Sequence, residues 1–468
     1  MKKHEIKIKI LTLFLAINFL APSHIVFSAE LNNKNIKPAS KQLKVSVSDY
    51  RIDYINIDWW DKFQDPVLKE YILKAVNENY DLKIATFKVL ETQEMVRESL
   101  GKEFPLMDIG GDFARKKTSG NIGLPSYSQN TYLFPLNVNY ELDLWRKNRE
   151  RTIQKGKELE AVKYDEKASY ISLSTIVAAA YFNIIKTDKQ ILLQKEIISL
   201  REEILKLSKI NYDYGLYQTS DVISEEKALT EAQSALNDLE KQQSIFLNQL
   251  SVLTGQYSDN SSKLKRASID EIDLINDLPA NIKAEVVKNR PDILKAEAEL
   301  QKSRIDVSLA RKDFFPDLSI TGQFGFNANS LSKAFNWESY VASVGVGIIQ
   351  NIFSGGQRKA RLKAKKYHYE QMLGNYQKTI LTSFQEVNDS LTALKFDIQK
   401  NNNNIARIKS EKDNLNIINM KYEKGALSYL DTLQYKERML SLEKEQVQSK
   451  TDCLIDSLSL YKTIGGKI

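Results

Sequence analysis

The chain repeats one order of landmarks in its two halves, and this duplication restricts the folds it can adopt. The recurring landmarks are Phe104-Pro105 with Phe315-Pro316, Tyr212 to Gly215 with Tyr422 to Gly425, and Gly255 with Gly465. The members of each pair lie 210 or 211 residues apart. Self-similarity at a fixed offset indicates repeated structural units. Each half is therefore predicted to contain a helix, a strand pair, a long helix, a tight turn and a return helix.

Two proline-free tracts predict unusually long helices. No proline lies between Pro135 and Pro279, and none follows Pro316. Both tracts are rich in Ala, Leu, Lys, Glu and Gln, which favour helix. We expect long helices at 147–211 and 357–422, each about 100 Å long at ~1.5 Å per residue. Helices of this length need neighbours that cover their apolar stripes, as in a coiled coil.

A glycine follows each long helix, and the chain is predicted to turn there and run back. Gly215 and Gly425 suit the left-handed conformation that ends many helices, and each precedes a cluster of helix-starting residues. The return helices are shorter than the long ones, so leading helices stacked end to end with them would supply the missing length. The predicted return helices are 219–254 and 428–462, and the leading helices are 66–101 and 288–312.

Period-two alternation predicts two β-hairpins, at 104–144 and 314–352. Every even position from Tyr132 to Leu144 is apolar, and polar residues hold most of the odd positions. The second hairpin repeats this pattern, and the segment from Met107 to Phe113 marks a weaker strand. Each strand spans roughly 10 to 13 residues, near the ~9 to 11 that a tilted strand needs to cross a bilayer.

The N-terminus predicts export. Residues 1–28 combine a basic start, a short apolar core and small residues, which is typical of a secretory signal peptide. The formal net charge of +7 comes partly from this segment, and the remaining cations are interleaved with acids, so no nucleic-acid surface is predicted. No cysteine follows the signal to accept a lipid. The mature chain is expected to have no helical membrane span.

The residue inventory argues against an enzyme. The chain has one cysteine, Cys453, and of its three histidines only His368 lies beyond the signal segment. Metal clusters and Cys/His or Ser/His nucleophile systems cannot be assembled from these residues in one protomer. We therefore expect no cofactor and no metal. A periplasmic coiled-coil scaffold is the alternative of another class, but it would not need duplicated strands of bilayer length.

Four strands cannot close into a barrel, and an open sheet edge is not tolerated in hydrocarbon. Several copies must then share one barrel: three copies supply twelve strands and leave a lumen, whereas two supply eight, which side chains fill. With apolar positions facing lipid, the polar positions would line water. The expected lumen residues are Asn137, Asn139, Glu141, Ser319, Thr321 and Gln323.

Several motifs in this order and spacing resemble the TolC-like outer-membrane efflux family, closest to the branch that serves resistance-nodulation-division pumps. The residues that carry the resemblance are Trp59 to Pro66, Asn79 with Asp81-Leu82, Tyr140 to Trp145, Ala180 to Phe182, Arg290 to Ile293, Phe315-Pro316, Phe353 to Gly356 and the two Tyr-x-x-Gly turns. The resemblance implies a mainly α homotrimer with a shared twelve-strand membrane β-barrel, a long periplasmic helical tunnel and a small mixed equatorial belt.

The resemblance also implies a domain order and a location. The order is signal peptide 1–28, N-terminal equatorial segment 29–65, first repeat 66–255, equatorial linker 256–287 and second repeat 288–466. The protein would sit in the outer membrane of a Gram-negative bacterium and would contact a periplasmic adaptor. Many members of this branch are lipoproteins, but this chain lacks the acceptor cysteine, so we expect it not to be lipidated. An inner-membrane pump would supply the cargo. A resistance-nodulation-division drug pump is favoured over an ATP-driven protein exporter, and the cargo itself stays open.

Residues at the two turns carry the implied site roles. Leu430 and Asp431 match positions that close the tunnel in the family, and Asp221 is the first-half counterpart. A helix-capping role for both acids is the alternative. Leu427 and Gln434 stand where relatives often carry charge, which argues against a salt-bridged lock. The residues implied in adaptor docking are Tyr212, Gly215, Tyr422 and Gly425.

Overall fold

The computed structural model describes residues 53–122, 125–257, 264–275 and 287–466. The predicted signal peptide lies outside the described residues, as do residues 29–52 of the N-terminal equatorial segment and parts of the 256–287 linker. The described chain is mainly helical and carries one antiparallel sheet.

The two halves share one order of leading helix, strands, long helix and return helix, and the first half has two further helices before it. In the first half the elements are α1 (Ile57–Asp61), α2 (Pro66–Glu78), α3 (Tyr80–Gly101), β1 (Leu106–Ile109), β2 (Asp112–Lys117), β3 (Ser128–Glu141), α4 (Lys147–Asp213) and α5 (Thr219–Leu253). In the second half they are α6 (Pro291–Lys312), β4 (Asp317–Ala328), β5 (Tyr340–Ile349), α7 (Gln357–Glu423) and α8 (Tyr429–Thr463). The long helices α4 and α7 have 67 residues each, and the return helices α5 and α8 have 35 each.

The prediction of one leading helix over 66–101 is wrong, because the chain breaks at Asn79. The Asn79 backbone is extended, with ψ 133°, so it ends α2. Its side-chain oxygen accepts hydrogen bonds from the backbone N–H groups of Asp81 and Leu82, which caps α3. The Asn79 amide also donates to the carbonyl oxygen of Leu253 at 3.0 Å, which ties this break to the end of α5.

The sheet has the order β1-β3-β4-β5, and β2 also pairs with β3. The predicted weaker strand is thus two segments, β1 and β2, which keep one continuous register against β3. The gap between them lies opposite Pro135, which has no N–H to donate to the ladder. Within the part of the chain that the structure describes, the outer edges of β1–β2 and of β5 have no strand partner.

Pro135 in the middle strand is accommodated by glycine on both sides. Gly110 donates its N–H to the Pro135 carbonyl oxygen at 2.9 Å, and Gly325 is the register partner of Pro135 on β4. A Cβ atom added to Gly325 would overlap the carbonyl oxygen of Phe134 and lie 2.9 Å from the Cα of Pro135. The close approach of β3 and β4 therefore requires glycine at this position.

An aromatic cluster joins the two halves where α1 packs against α4 and α8. The rings of Trp59 and Tyr461 stack at 4.3 Å, and Phe63 packs edge-on against Trp59. Trp60 donates its indole N–H to the carbonyl oxygen of Ile55 at 2.9 Å, and the Tyr461 hydroxyl donates to the same atom. All of these side chains are buried. The start of the described chain is thereby held against the end of α8.

A buried cation supports the start of α6. The Arg290 guanidinium pairs with Asp292 and Glu386 and donates to the carbonyl oxygen of Thr463 at 2.8 Å. Because paired acids surround it, the Arg290 charge is compensated in a buried position.

Helix α4 contains a stretch long and apolar enough to cross a membrane by composition, yet 67% of that stretch is buried against the rest of the protein.

Replacing Gly325 tests the close contact between β3 and β4. Gly325→Ala must push the strands apart, and overpacking of this kind costs about 1–3 kcal/mol. Folded β-barrels often change their gel migration when the sample is heated. We expect the membrane fraction of the Gly325→Ala variant to contain much less of the form whose migration changes on heating. Gly345→Ala is the control, because its new Cβ would meet only the Thr321 hydroxyl, at 3.4 Å. Equal yields of the two variants would contradict this account.

Candidate functional site

The polar positions predicted for the lumen share one face of the sheet. The register pairs Asn137 with Gln323, Asn139 with Thr321 and Glu141 with Ser319. Directly opposed residues in an antiparallel pair project to the same side, so the predicted set forms one polar surface.

Two further residues, which the sequence analysis missed, extend this polar surface into a row across the sheet. Asn137 donates to Asp108 Oδ1 at 2.8 Å, and Gln323 donates to Asn137 Oδ1 at 3.1 Å. Ser343 is the register partner of Gln323 on β5. Asp108 and Ser343 occupy the polar phase of their strands, so the alternation itself was the signal that could have identified them.

The opposite face of the sheet is apolar and uncovered in the isolated chain. Met107, Ile109, Val344, Val346 and Ile348 are 60–71% exposed. A contiguous apolar surface of this kind is unstable in water and requires a lipid or protein cover. One face of this sheet therefore suits contact with water, and the opposite face suits contact with lipid or protein.

The turns that follow α4 and α7 have the same backbone geometry. Gly215 and Gly425 adopt φ values of 73° and 72°. Each turn closes with two hydrogen bonds typical of a Schellman motif: Gly215 N–H to Tyr212 and Leu216 N–H to Asn211 in the first half, with matching bonds in the second. Apart from the adjoining residues, no heavy atom lies within 4 Å of a Cβ built on either glycine, and both glycines are exposed, so both turns lie at the protein surface.

Asp221 and Asp431 each lie in the first turn of a return helix and cap its N-terminus. The Asp221 carboxylate accepts the backbone N–H of Gln218 at 2.8 Å. The Asp431 carboxylate accepts the backbone N–H of Ser428 at 3.2 Å and its hydroxyl at 2.6 Å, while Ser428 Oγ accepts the Asp431 N–H. The capping alternative is therefore confirmed for both acids.

The second turn is tied to the first half of the chain by contacts that sequence reasoning missed. Tyr429 donates its hydroxyl to Glu203 on α4 at 2.9 Å, and this bond raises the pKa of the Tyr429 hydroxyl, which stays protonated as a donor. Arg201 on α4 pairs with Glu437 on α8 at 2.7 Å and with Glu225 on α5 at 3.1 Å. No local pattern reveals contacts between residues 226 and 236 positions apart.

Leu430 follows Tyr429, whose hydroxyl donates to Glu203 on α4. Leu430 and Asp431 are half-buried, whereas Asp221, Tyr212 and Tyr422 are exposed. The ring of Tyr422 packs 5.5 Å from that of Tyr429. The structure thus gathers Leu430, Asp431 and Tyr422 at one helix end, and the first-half residues occupy the equivalent end of α4 and α5.

A pair of acids lies between α7 and α8. Burial, followed by the adjacent Asp397 carboxyl, raises the pKa of Asp456 from 3.8 to about 6. Asp456 Oδ2 is buried without a hydrogen-bond partner among the described residues. Asp452 adds further negative charge to this region. Lys400 forms an ion pair with Asp452 at 3.5 Å, and the positive charge of Lys186 on α4 also attracts the Asp452 carboxylate. Among the described residues, no group of three or more His, Cys, Asp or Glu could hold a metal ion.

The comparisons with known proteins decide the family. A family model described as "Outer membrane efflux protein" matches residues 72–256 and 284–466, one segment in each half. The chain belongs to the outer membrane efflux protein family. The two matched segments follow the duplication, and they include the sheet and both turns.

Relatives and solved structures within the outer membrane efflux protein family agree with this assignment. The chain is 27% identical over 426 residues to the cation efflux system protein CusC of Escherichia coli O157:H7, covering 88% of this chain and 89% of that protein. It is 26% identical over 418 residues to the toluene efflux pump outer membrane protein TtgC of Pseudomonas putida, covering 87% and 84%. The CmeC outer membrane channel of Campylobacter jejuni has the same fold, with a TM-score of 0.80, 23% identity and 94% of each chain covered.

The family assignment gives the molecule a location and an orientation. The protein is an efflux channel of the outer membrane with a periplasmic helical part. All helices that adjoin the sheet leave it at one end, whereas the C-terminal ends of β2 and β4 and the N-terminal ends of β3 and β5 lie at the other, where the hairpins turn. The helical end therefore faces the periplasm, and the hairpin turns face the cell exterior.

Because the pKa of Asp456 is raised, we predict that the periplasmic helices become more stable as the pH falls. In an unfolded chain the pKa of an aspartate is about 3.9. The pKa of Asp456 in the folded protein is about 6, so above about pH 6 its ionised form destabilises the folded state. Stability should then rise as the pH falls from 7.5 to 5, because the folded state takes up the proton first.

Asp456→Asn removes the negative charge of Asp456 and keeps nearly the same side-chain shape, so it mimics the protonated form. We expect the variant to melt at a higher temperature than the wild type at pH 7.5, and this difference to shrink at pH 5. The measurement is thermal unfolding of both purified proteins at both pH values, so that other titrating groups cancel. A difference that does not change with pH would contradict the assignment.

Proposed function

We propose that three copies of the chain share one β-barrel and form a passive exit duct across the outer membrane. The observation that carries this proposal is the pair of sheet edges, β1–β2 and β5, that have no partner in the described chain, combined with an apolar face that is largely exposed on those edge strands. Backbone groups at such edges need partners in hydrocarbon. Three copies, each contributing the two hairpins, supply a twelve-strand barrel with an open lumen.

In this assembly the polar face of the sheet lines the pore. Asn137, Gln323 and Asp108 form a hydrogen-bonded row, and Asn139, Glu141, Thr321 and Ser319 continue the polar surface toward the helices. Most of these seven side chains are uncharged and polar, and Asp108 and Glu141 are the acids among them, which suits passage of varied solutes rather than binding of one. We propose no catalytic step and no cofactor.

The helices α4 and α7, with the stacked shorter helices, would form a tunnel about 100 Å long on the periplasmic side. The exposed turns at its far end are suited to docking an adaptor, through Tyr212 and Gly215 on one turn and Tyr422 and Gly425 on the other. An inner-membrane pump, of the resistance-nodulation-division type in preference to an ATP-driven one, would deliver cargo through that adaptor. The names of CusC and TtgC associate those relatives with cation and toluene efflux, and these relatives support an efflux duct without assigning its cargo.

We further propose that the second turn closes the tunnel. Leu430 and Asp431 would approach the three-fold axis, so that three leucines exclude water and three carboxylates attract cations. The ties from Tyr429 to Glu203 and from Arg201 to Glu437 would hold this end inward. Asp431 would then act both as a helix cap and as a charged ring, while Asp221 is the equivalent candidate on the first turn.

The assembly is tested with the purified full-length protein. We expect cross-linking to yield trimers, and reconstitution in a planar bilayer to yield discrete conductance steps. Recovery of monomers alone, or of a protein that fractionates with the soluble periplasm, would refute the shared barrel.

The closing role of the second turn is tested in the same bilayer. Leu430→Ala removes an apolar plug, so conductance should rise several-fold. Asp431→Ala removes negative charge, so cation preference should fall and block by multivalent cations should weaken. Loss of the cap alone costs about 0.5–2 kcal/mol of helix stability and leaves ion selectivity unchanged.

Asp221→Ala removes the equivalent helix cap on the first turn, so comparing it with Asp431→Ala shows which of the two acids also acts as a charged ring. If both variants lose stability and only Asp431→Ala changes the reversal potential, Asp431 forms the selective ring. Wild-type conductance and selectivity in the Leu430 and Asp431 variants would rule out closure at this turn.

Tyr429→Phe tests the tie that holds this end. It keeps the ring against Tyr422 but removes the hydroxyl that donates to Glu203. One such hydrogen bond is worth about 1 kcal/mol, or about five-fold in an opening equilibrium. We expect open events to become more frequent by that factor in single-channel records. Tyr422→Phe removes a hydroxyl with no described partner and should leave the frequency unchanged, so an equal effect of both variants would contradict the tie.

A further inference from the structure

The apolar face of β1 and β2 changes character toward the cell exterior. Because the two segments share one register, Met107, Ile109 and Phe113 project to the same side as the apolar residues of β3. The next two residues in this phase are Arg115 and Lys117, opposite Asn130 and Ser128. The strand thus presents apolar, aromatic and then cationic side chains along its outer face.

Aromatic rings mark the level at which this change occurs. Phe113 packs 4.8 Å from Tyr132 on the outer face. On the same face, Phe335 from the 329–339 turn packs 4.9 Å from Phe134, and Trp337 stacks on Tyr340 at 5.2 Å. Aromatic residues of membrane barrels concentrate at the two interfaces of the bilayer. This row therefore corresponds to the outer interface.

The two cations lie immediately beyond the aromatic row. Arg115 is two residues past Phe113, or about 7 Å along the strand, and Lys117 is about 7 Å farther. Both side chains are exposed. No carboxylate among the described residues is within ion-pairing distance of either, and the acid on the same strand, Asp112, lies in the opposite phase. The outer face at this level therefore carries two uncompensated positive charges.

We propose that Arg115 and Lys117 bind the phosphate groups of the glycolipid that forms the outer leaflet of the outer membrane. The proposal rests on the proposed barrel, which places this face against lipid. Arginine can bind a phosphate through two parallel hydrogen bonds, and lysine adds a point charge. The acyl chains of the same lipid would lie along Ile109 and Met107. One ligand thus matches both the charge and the apolar surface below it.

A bound anion in bulk water would use only the charges, whereas a glycolipid uses the whole strand face. This difference separates the lipid from free phosphate. Lys116 supplies a matched internal control: it has the same charge and strand, but it pairs with Gln129 and so faces the lumen side.

The test uses the full-length wild-type protein and two variants, Arg115→Gln/Lys117→Gln and Lys116→Gln. Detergent-purified samples are mixed with bisphosphorylated lipid A, and native mass spectrometry measures the bound lipid. We expect the double variant to bind about five-fold or more weakly and Lys116→Gln to stay within about two-fold of wild type. Fully dephosphorylated lipid A should bind wild type as weakly as the double variant binds the phosphorylated lipid.

Three outcomes would overturn the proposal: no binding to wild type, equal loss in both variants, or no effect of removing the lipid phosphates. Displacement of lipid A by millimolar inorganic phosphate would indicate a simple anion site and would also overturn it. Conductance of all three proteins in bilayers without lipid A is measured in parallel. If wild type conducts but shows no preference for phosphorylated lipid A, this inference fails alone; if wild type does not conduct, the proposed channel fails.

Discussion

The need to pair every backbone hydrogen-bonding group inside a membrane governs this protein more than any single contact. Each chain brings a sheet whose outer edges, at β1–β2 and β5, have no partner in the described residues. Such edges are stable in hydrocarbon only when their backbone groups are paired, and in the proposed barrel neighbouring copies complete the ladder. The apolar face, the polar row through Asn137 and the helices at one end of the sheet all acquire a use once that pairing occurs.

The sequence predicts much of the fold because its strongest signals are local and occur twice. Scarce prolines predict α4 and α7, and alternation predicts β3, β4 and β5. The break at Asn79 depends on a bond to Leu253, and the interruption between β1 and β2 depends on Pro135 in the facing strand. At the candidate site, the polar face follows from alternation. The contact between Tyr429 and Glu203 crosses 226 positions and needs the folded arrangement.

The duplication supplies two matching scaffolds that carry different chemistry. Both turns have the same glycine geometry, and both return helices are capped by an acid at the same position. Among the described contacts, only the second turn is bonded to the other half through Tyr429. Two turns with the same backbone geometry can therefore serve different roles. The first turn is positioned by the helices of its own half, whereas the second is also bonded to α4 of the first half.

The equal lengths of the repeated helices have an evolutionary consequence. α4 and α7 each have 67 residues, and α5 and α8 each have 35. One inserted residue in a single helix would advance everything beyond it by ~1.5 Å and rotate it by about 100°. Its apolar stripe would turn away from its neighbours, and its tip would no longer be level with the other. Length changes in this lineage are thus expected to accumulate in the turns, or in both halves together.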